Sequence, residues 1–219
     1  MEGQTDGNLT AKTRRRYNRV APFYDVMESI IERTFSRWRK RLLARARGDV
    51  LEVGVGTGKN FPHYPRGVNV TGLDIADRML HRARLRSERL GFPVHLMEGD
   101  VQSLPFTDNT FDTAVAAFVF CSVPDPVRGL MELGRIVKPE GRILLLEHVR
   151  IDRPVIGPLM DCLNPLVVHA IGANINRRTV ENVKKAGMRI EQIEHLGMMD
   201  MVKMITTKKD GVWPTGGTS

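Results

Sequence analysis

The chain has 219 residues, 42% of them hydrophobic, with two cysteines and a formal net charge of +8. These figures fit a single globular domain with a full core and exclude a disulfide framework. No apolar run approaches the roughly 18–20 residues that cross a bilayer, and the polar, then basic start does not read as a secretory signal. A reducing cytoplasm is the expected compartment, with a peripheral place on the inner membrane face as an option. The charge is uneven, because residues 1–50 hold twelve Lys/Arg against six Asp/Glu. No aromatic-interleaved basic patch accompanies it, so nucleic acid is not an expected partner. The six histidines show no metal-ligand spacing, so no metal is expected. A monomer is the expected state.

Taken in order, residues 1–12 are polar and aperiodic and read as disordered. Residues 13–47 read as an N-terminal lid and helix, with a break at Ala21-Pro22 because the residue before a proline avoids helix. From Met27 to Ala46 apolar residues recur near a 3.6 period, and Arg33, Arg37, Arg39, Lys40, Arg41 and Arg45 fill the other face. Such a helix can pack on a sheet with a solvated basic face, or bind an anionic membrane surface.

Residues 48–149 read as a cofactor-binding half. Val50 to Gly54 is a buried strand that runs into Gly54-Val-Gly56-Thr-Gly58, a turn in which a ligand can lie against the main chain. The third glycine comes one residue earlier than in the dinucleotide fingerprint, and Glu52 would repel a pyrophosphate. A cofactor with a cationic end and no phosphate fits better, and S-adenosylmethionine is one. The later expected elements are a short helix near 59–63, a strand at 69–74, a basic helix at 76–90, strands at 94–97 and 113–120, a helix at 127–137, a turn at 138–141 and a strand at 142–148. Alternation of strands and helices implies an α/β fold, a doubly wound and mostly parallel sheet of seven strands.

Residues 150–176 break that rhythm with Pro154, Pro158 and Pro165 among apolar residues. This segment reads as a lid or acceptor pocket containing Met160, Leu163 and His169, or as a core-packing helix pair. Residues 177–207 read as a closing helix and two strands, and 208–219 as a disordered tail.

Three carboxylates fall at successive strand ends, where ligands bind in such sheets: Glu52, Asp74 and Asp100. Asp74 can accept two hydrogen bonds from a ribose diol, Asp100 one from an adenine amino group, and Glu52 can act through water or the loop backbone. Methyl transfer from a sulfonium needs alignment and a dry site more than a strong base. Tyr17, Tyr24, His148, Asp161 and His169 are the candidate bases, with Tyr24 and His148 placed first and no base required.

The runs Leu51–Gly58, Thr71–Asp74, Gly99-Asp100, Leu104-Pro-Phe106 and Phe111-Asp112 together resemble class I S-adenosylmethionine-dependent methyltransferases. Tyr17-Asn-Arg-Val-Ala-Pro-Phe-Tyr24-Asp25 resembles the start of the quinone-biosynthesis C-methyltransferase and bacterial phospholipid N-methyltransferase branches. Phe61-Pro-His-Tyr64 after the glycine turn is more similar to the phospholipid branch, and Cys121-Ser-Val123 with Glu147-His-Val149 to thiol methyltransferases. The resemblance implies that Tyr17 and Tyr24 close over the cofactor, that Val101 flanks adenine, and that Phe118 touches cofactor or acceptor. The apolar, proline-rich insertion and the basic amphipathic helix together favour a hydrophobic or amphipathic acceptor, a small molecule or lipid, first the amino headgroup of phosphatidylethanolamine, with quinol C-methylation and small-thiol S-methylation as alternatives. A non-catalytic, cofactor-sensing lipid-surface module is the reading from another class.

Overall fold

The computed structural model describes residues 2–28, 32–171 and 174–209, with the side chains of 2–6, 23–28, 32 and 169–171 outside that description. Thirteen principal elements follow one another: α1 (Glu2–Glu28), α2 (Glu32–Leu43), β1 (Asp49–Val53), β2 (Asn69–Asp74), α3 (Asp77–Leu90), β3 (Val94–Glu98), β4 (Phe111–Ala117), α4 (Pro126–Ile136), β5 (Val137–His148), α5 (Ile156–Ile171), α6 (Thr179–Lys185), β6 (Met188–Leu196) and β7 (Val202–Lys209). The strands form one seven-stranded sheet in the order β3-β2-β1-β4-β5-β7-β6. β1 to β5 run parallel, and β7 runs antiparallel to both β5 and β6.

Both faces of the sheet are buried, so its central strands are apolar throughout rather than alternating. Side chains at odd and even positions feed different cores. Leu51, Val53, Ala114, Ala116, Ile143 and Leu145 pack on one face with Leu130 and Leu133 of α4 and Val183 of α6. Val50, Val115, Leu144 and Leu146 pack on the other with Leu42 and Leu43 of α2. The strand order reverses between β1 and β4, and the carboxyl ends of these two strands frame the crevice where such sheets bind ligands.

Several expectations need correction. α1 begins at Glu2, not after residue 12, and it passes through Ala21-Pro22 without the expected break. Discrete long-range contacts hold it: Thr10 Oγ1 donates to Asp100 (3.1 Å), Arg14 pairs with Glu98 (2.7 Å), and Ala21 packs on Ala76 and Met79. The expected helix 27–46 is α2, Glu32–Leu43, and residues 29–31 lie outside the described ones. The turn expected at 138–141 lies within β5, where the register shifts between the Phe111 and Thr113 pairings. The proline-broken insertion holds one helix, α5, with Pro165 inside it. Lys208 and Lys209 belong to β7, and residues 210–219 of the expected tail lie outside the described residues.

Leu144 is fully buried at the middle of β5, with neighbours on β4 and β7. Leu144→Ala is expected to lower stability by about 2–5 kcal/mol through lost transfer energy and an unfilled cavity, as measured by urea denaturation.

Candidate active site

The glycine turn is built by its backbone. Gly54 has φ +61°, and a Cβ there would stand 2.5 Å from Cγ2 of Val119. Gly58 has φ +77° and lies against the ring of Phe61, which fills the space under the turn. Asp74, at the end of β2, ties this turn to the next helix. One of its oxygens accepts the Gly56 N–H (2.8 Å) and the other the Ala76 N–H (2.9 Å). Burial raises the carboxyl pKa of Asp74, and these backbone donors counter the rise.

A cavity of about 100 Å³ opens over the turn. Gly54, Gly56, Asp74, Met79, Asp100, Val101, Phe118 and Val119 form its walls, and Thr13 and Tyr17 of α1 cover it. Asp100 is oriented locally: Gln102 donates to it from both backbone (2.9 Å) and side chain (2.9 Å), and Thr10 from α1 adds a third donor.

The segment after β4 is the wall opposite Asp74. Phe118 has φ +61°, which ends the strand at Ala117, earlier than expected. Its N–H donates to the Leu146 carbonyl (2.7 Å). The next two N–H groups, of Val119 and Phe120, donate to Oε1 of Glu147 (2.9 and 3.1 Å). Glu147 is fully buried and its Oε2 has no partner. Burial, only partly offset by those donors, lifts its pKa to about 8, so the carboxyl is neutral around pH 7. Further along, Tyr17 Oη and Ser122 Oγ share a hydrogen bond (2.6 Å), Asn174 donates to the Cys121 carbonyl (2.9 Å), and Arg177 donates to the Val123 carbonyl (2.7 Å).

That same wall has a second cavity behind it, of about 360 Å³, which shares Thr13, Ser122, Val123 and Pro124 with the first. Lys12, Arg16 and Arg177 supply cations to it, and Leu9, Pro165 and Val168 supply apolar surface.

The structure therefore brings Tyr17, Gly54, Gly56, Asp74, Asp100, Val101 and Phe118 together on one cavity. Other expected site residues fall elsewhere. Glu52 sits beneath the turn, where Asn60 and Tyr64 donate to it (2.8 Å each). Burial raises its pKa to about 7 against those two donors. Gly58 is spent on packing. His148 lies behind the cavity, its ring 4.7 Å from that of Phe118 and 6.0 Å from that of Phe35. Met160 Sδ accepts the Ile151 N–H (3.4 Å), Leu163 is 41% exposed, and Asp161 is bonded to Arg150 (2.9 Å), so α5 contributes Pro165 and Val168 to the second cavity instead. The side chains of Tyr24 and His169 lie outside the described residues. The sequence reading missed Thr13, Ser122, Arg177 and Glu147. Ser122 and Glu147 carried a signal, since both stand in runs that resemble thiol methyltransferases and Glu147 is an acidic residue inside an apolar strand.

Among the described residues no group of His, Cys, Asp or Glu is placed to hold a metal. Burial pushes the Cys121 thiol up to about 12 and the Tyr17 phenol well above its ordinary value. Neither is a base at neutral pH.

Residues 51–145 match the family model described as a methyltransferase domain. A phosphatidylethanolamine N-methyltransferase of Cereibacter sphaeroides is 40% identical over 147 residues, covering 66% of this chain and 70% of that protein. A ubiquinone/menaquinone biosynthesis C-methyltransferase of Bdellovibrio bacteriovorus is 28% identical, covering 93% and 91%. In fold the chain is similar to a possible histamine N-methyltransferase of Thermotoga maritima, with a TM-score of 0.68 over 90% of this chain and all of that one, at 21% identity.

Because the folded-state pKa of Glu147 lies above the ordinary 4.5, its folded form holds a proton that the unfolded form has lost. That contribution is complete below about pH 4.5 and is lost as pH rises towards 8. Glu147→Gln cannot titrate, so its melting temperature is expected to fall less than that of the wild type between these limits, as read by calorimetry at a series of pH values.

Proposed function

The chain belongs to the class I S-adenosylmethionine-dependent methyltransferases, and from that premise we propose that it methylates the amino headgroup of phosphatidylethanolamine. One observation carries this reading. The cofactor cavity shares a wall with a second cavity that has cations and apolar side chains together. A phospholipid needs both, because its phosphodiester is anionic and its chains are apolar. A quinol or a small thiol has no charge for Lys12, Arg16 and Arg177 to meet. The 40% identity to a phosphatidylethanolamine N-methyltransferase supports the same choice.

The residues present fit S-adenosylmethionine. Asp74 presents a buried carboxylate whose oxygens each spend one lone pair on a loop amide, which leaves acceptor capacity toward the cavity for a ribose diol. Asp100 would accept from the adenine amino group, with Val101 against the ring. Gly54 and Gly56 would pass main chain beneath the amino-acid end. Tyr17, Phe118 and Tyr24 would close the site. Glu52 would act only through the turn above it. When bound, the cofactor supplies a methyl carbon activated by its sulfonium.

The chain's own part is to exclude water, align the acceptor and hold the wall between the cavities at one thickness. Tyr17 and Ser122 fix that wall from above and Glu147 from below. Among the described residues Tyr17 and Cys121 are held protonated at neutral pH, and His148 is turned to the aromatic cluster behind Phe118. An amine that arrives neutral needs no base.

The test is transfer of labelled methyl in detergent micelles, with phosphatidylethanolamine, a demethylated quinol and a small thiol offered separately. Label is expected in the phospholipid. Label in the quinol or thiol would replace the acceptor, and bound cofactor with no label anywhere would favour a cofactor-sensing module.

A further inference from the structure

A helix at a protein surface normally buries its apolar stripe and shows polar residues to water. α5 leaves much of its apolar surface outside, with only Ile156, Met160, Val167 and Val168 half-buried among its large apolar side chains of described burial. Side-chain hydrogen bonds tie it to the body: Asn164 donates to Asn174 (3.0 Å) and accepts the Ile175 N–H (2.9 Å), and Asp161 accepts from Arg150 and from Asn176 (3.0 Å). Its outward face is apolar. Leu159, Leu163 and Leu166 are 54%, 41% and 69% exposed at spacings of four and three, which put them on one stripe. Cys162 is exposed between them, and Val155, just before the helix, is 77% exposed. Leu9 of α1, half exposed, lines the same second cavity as Pro165 and Val168 of α5. The apolar strip therefore runs from α5 to the edge of that cavity.

The charges around the strip are positive in balance, because the two carboxylates there, Asp152 and Asp161, both pair with Arg150. Within Ile156–Ile171 the sole Asp, Glu, Lys or Arg is Asp161, and it is occupied by Arg150. Arg153 and Lys12 are exposed at the flanks, and Arg16 and Arg177 line the cavity. An apolar stripe edged by cations suits the interfacial layer of an anionic bilayer, where leucines enter the acyl boundary and cations meet phosphates. At sixteen residues α5 is about 24 Å long, short of the hydrocarbon thickness, so it would lie in the plane of the surface. No helix among the described residues is long and apolar enough to cross a membrane.

The basic helix expected to bind the membrane is less available. Arg39 of α2 is 6% exposed, bonded to Asn60 and placed 5.4 Å over the Phe118 ring. Arg41 and Arg45 both pair with Glu194. Half of that basic face is thus engaged in holding the fold.

We propose that the outward face of α5, with Leu9, docks into the interfacial layer of an anionic phospholipid bilayer and sets the mouth of the second cavity at headgroup depth. This deepens the lipid-acceptor reading and rests on it for its purpose, while the docking itself can be measured without any acceptor.

The experiment is sedimentation of the full chain with vesicles of equal parts phosphatidylcholine and phosphatidylglycerol, which hold no phosphatidylethanolamine. Wild type is compared with the double variant Leu159→Gln/Leu166→Gln and with a variant of α2, Arg33→Gln/Arg37→Gln, which changes exposed cations. The α5 variant is expected to lose tenfold or more in partitioning, while its melting temperature and its affinity for S-adenosylhomocysteine stay at the wild-type values. The α2 variant should lose less. Wild-type protein that does not sediment with the vesicles would overturn the proposal. So would an α5 variant that sediments like wild type, or a wild-type dimer by light scattering that the α5 variant converts to monomer without vesicle binding. Vesicle docking through α5 together with no methyl transfer to phosphatidylethanolamine in micelles would leave the surface standing and remove the acceptor.

Discussion

Buried carboxyl groups at the carboxyl ends of the strands hold the loops of this site in place. An acidic group taken out of water must be hydrogen-bonded, and a loop that crosses a sheet end must find partners for its N–H groups. Here each need meets the other. Asp74 accepts from Gly56 and Ala76, and so joins the turn after β1 to the start of α3. Glu147 accepts from Val119 and Phe120, and so holds the turn after β4 in the left-handed bend at Phe118. Glu52 accepts from Asn60 and Tyr64 and fixes the floor beneath the glycines. Asp74 alone of the three stands on the cavity wall, and in the proposed site it alone faces the cofactor.

The positive charge of the chain follows a similar division. Arg39, Arg41 and Arg45 are drawn inward to Asn60 and Glu194, and Arg135 bridges Glu132, Asp108 and the Phe106 carbonyl. The cations that reach the second cavity come from α1 and from the segment after α5. A net charge therefore says little about where a basic partner surface lies. Placement decides that: half of the basic face of α2 is engaged with the fold, while Lys12, Arg16 and Arg177 line the second cavity.

The strands and the glycine turn were legible because their signals are local. A buried parallel strand is a short apolar run, and Asp74 and Asp100 occupy fixed places one βαβ step apart. α1 was not legible. It is polar, contains Pro22, and is held by a few side-chain contacts across the chain, among them Thr10 to Asp100 and Tyr17 to Ser122, which no periodicity reveals. α5 was read as an acceptor segment from its apolar residues. That missed which of them turn outward, because an apolar stripe in sequence is silent about the side on which the body lies. Glu52 and His148 were read by position at strand ends. Yet a strand end has two faces, and both side chains point away from the cavity, Glu52 into a polar cluster with Arg39 and His148 into an aromatic one with Phe35.

The most direct measurement is the affinity of the full chain for S-adenosylhomocysteine by calorimetry, in wild type and in Asp74→Asn, with circular dichroism to check that both are folded. Loss of charged hydrogen bonds to a ribose diol predicts weaker binding by about 1.5–3 kcal/mol, tenfold or more in the dissociation constant. An unchanged dissociation constant in a folded variant would contradict the placement of the cofactor on this wall.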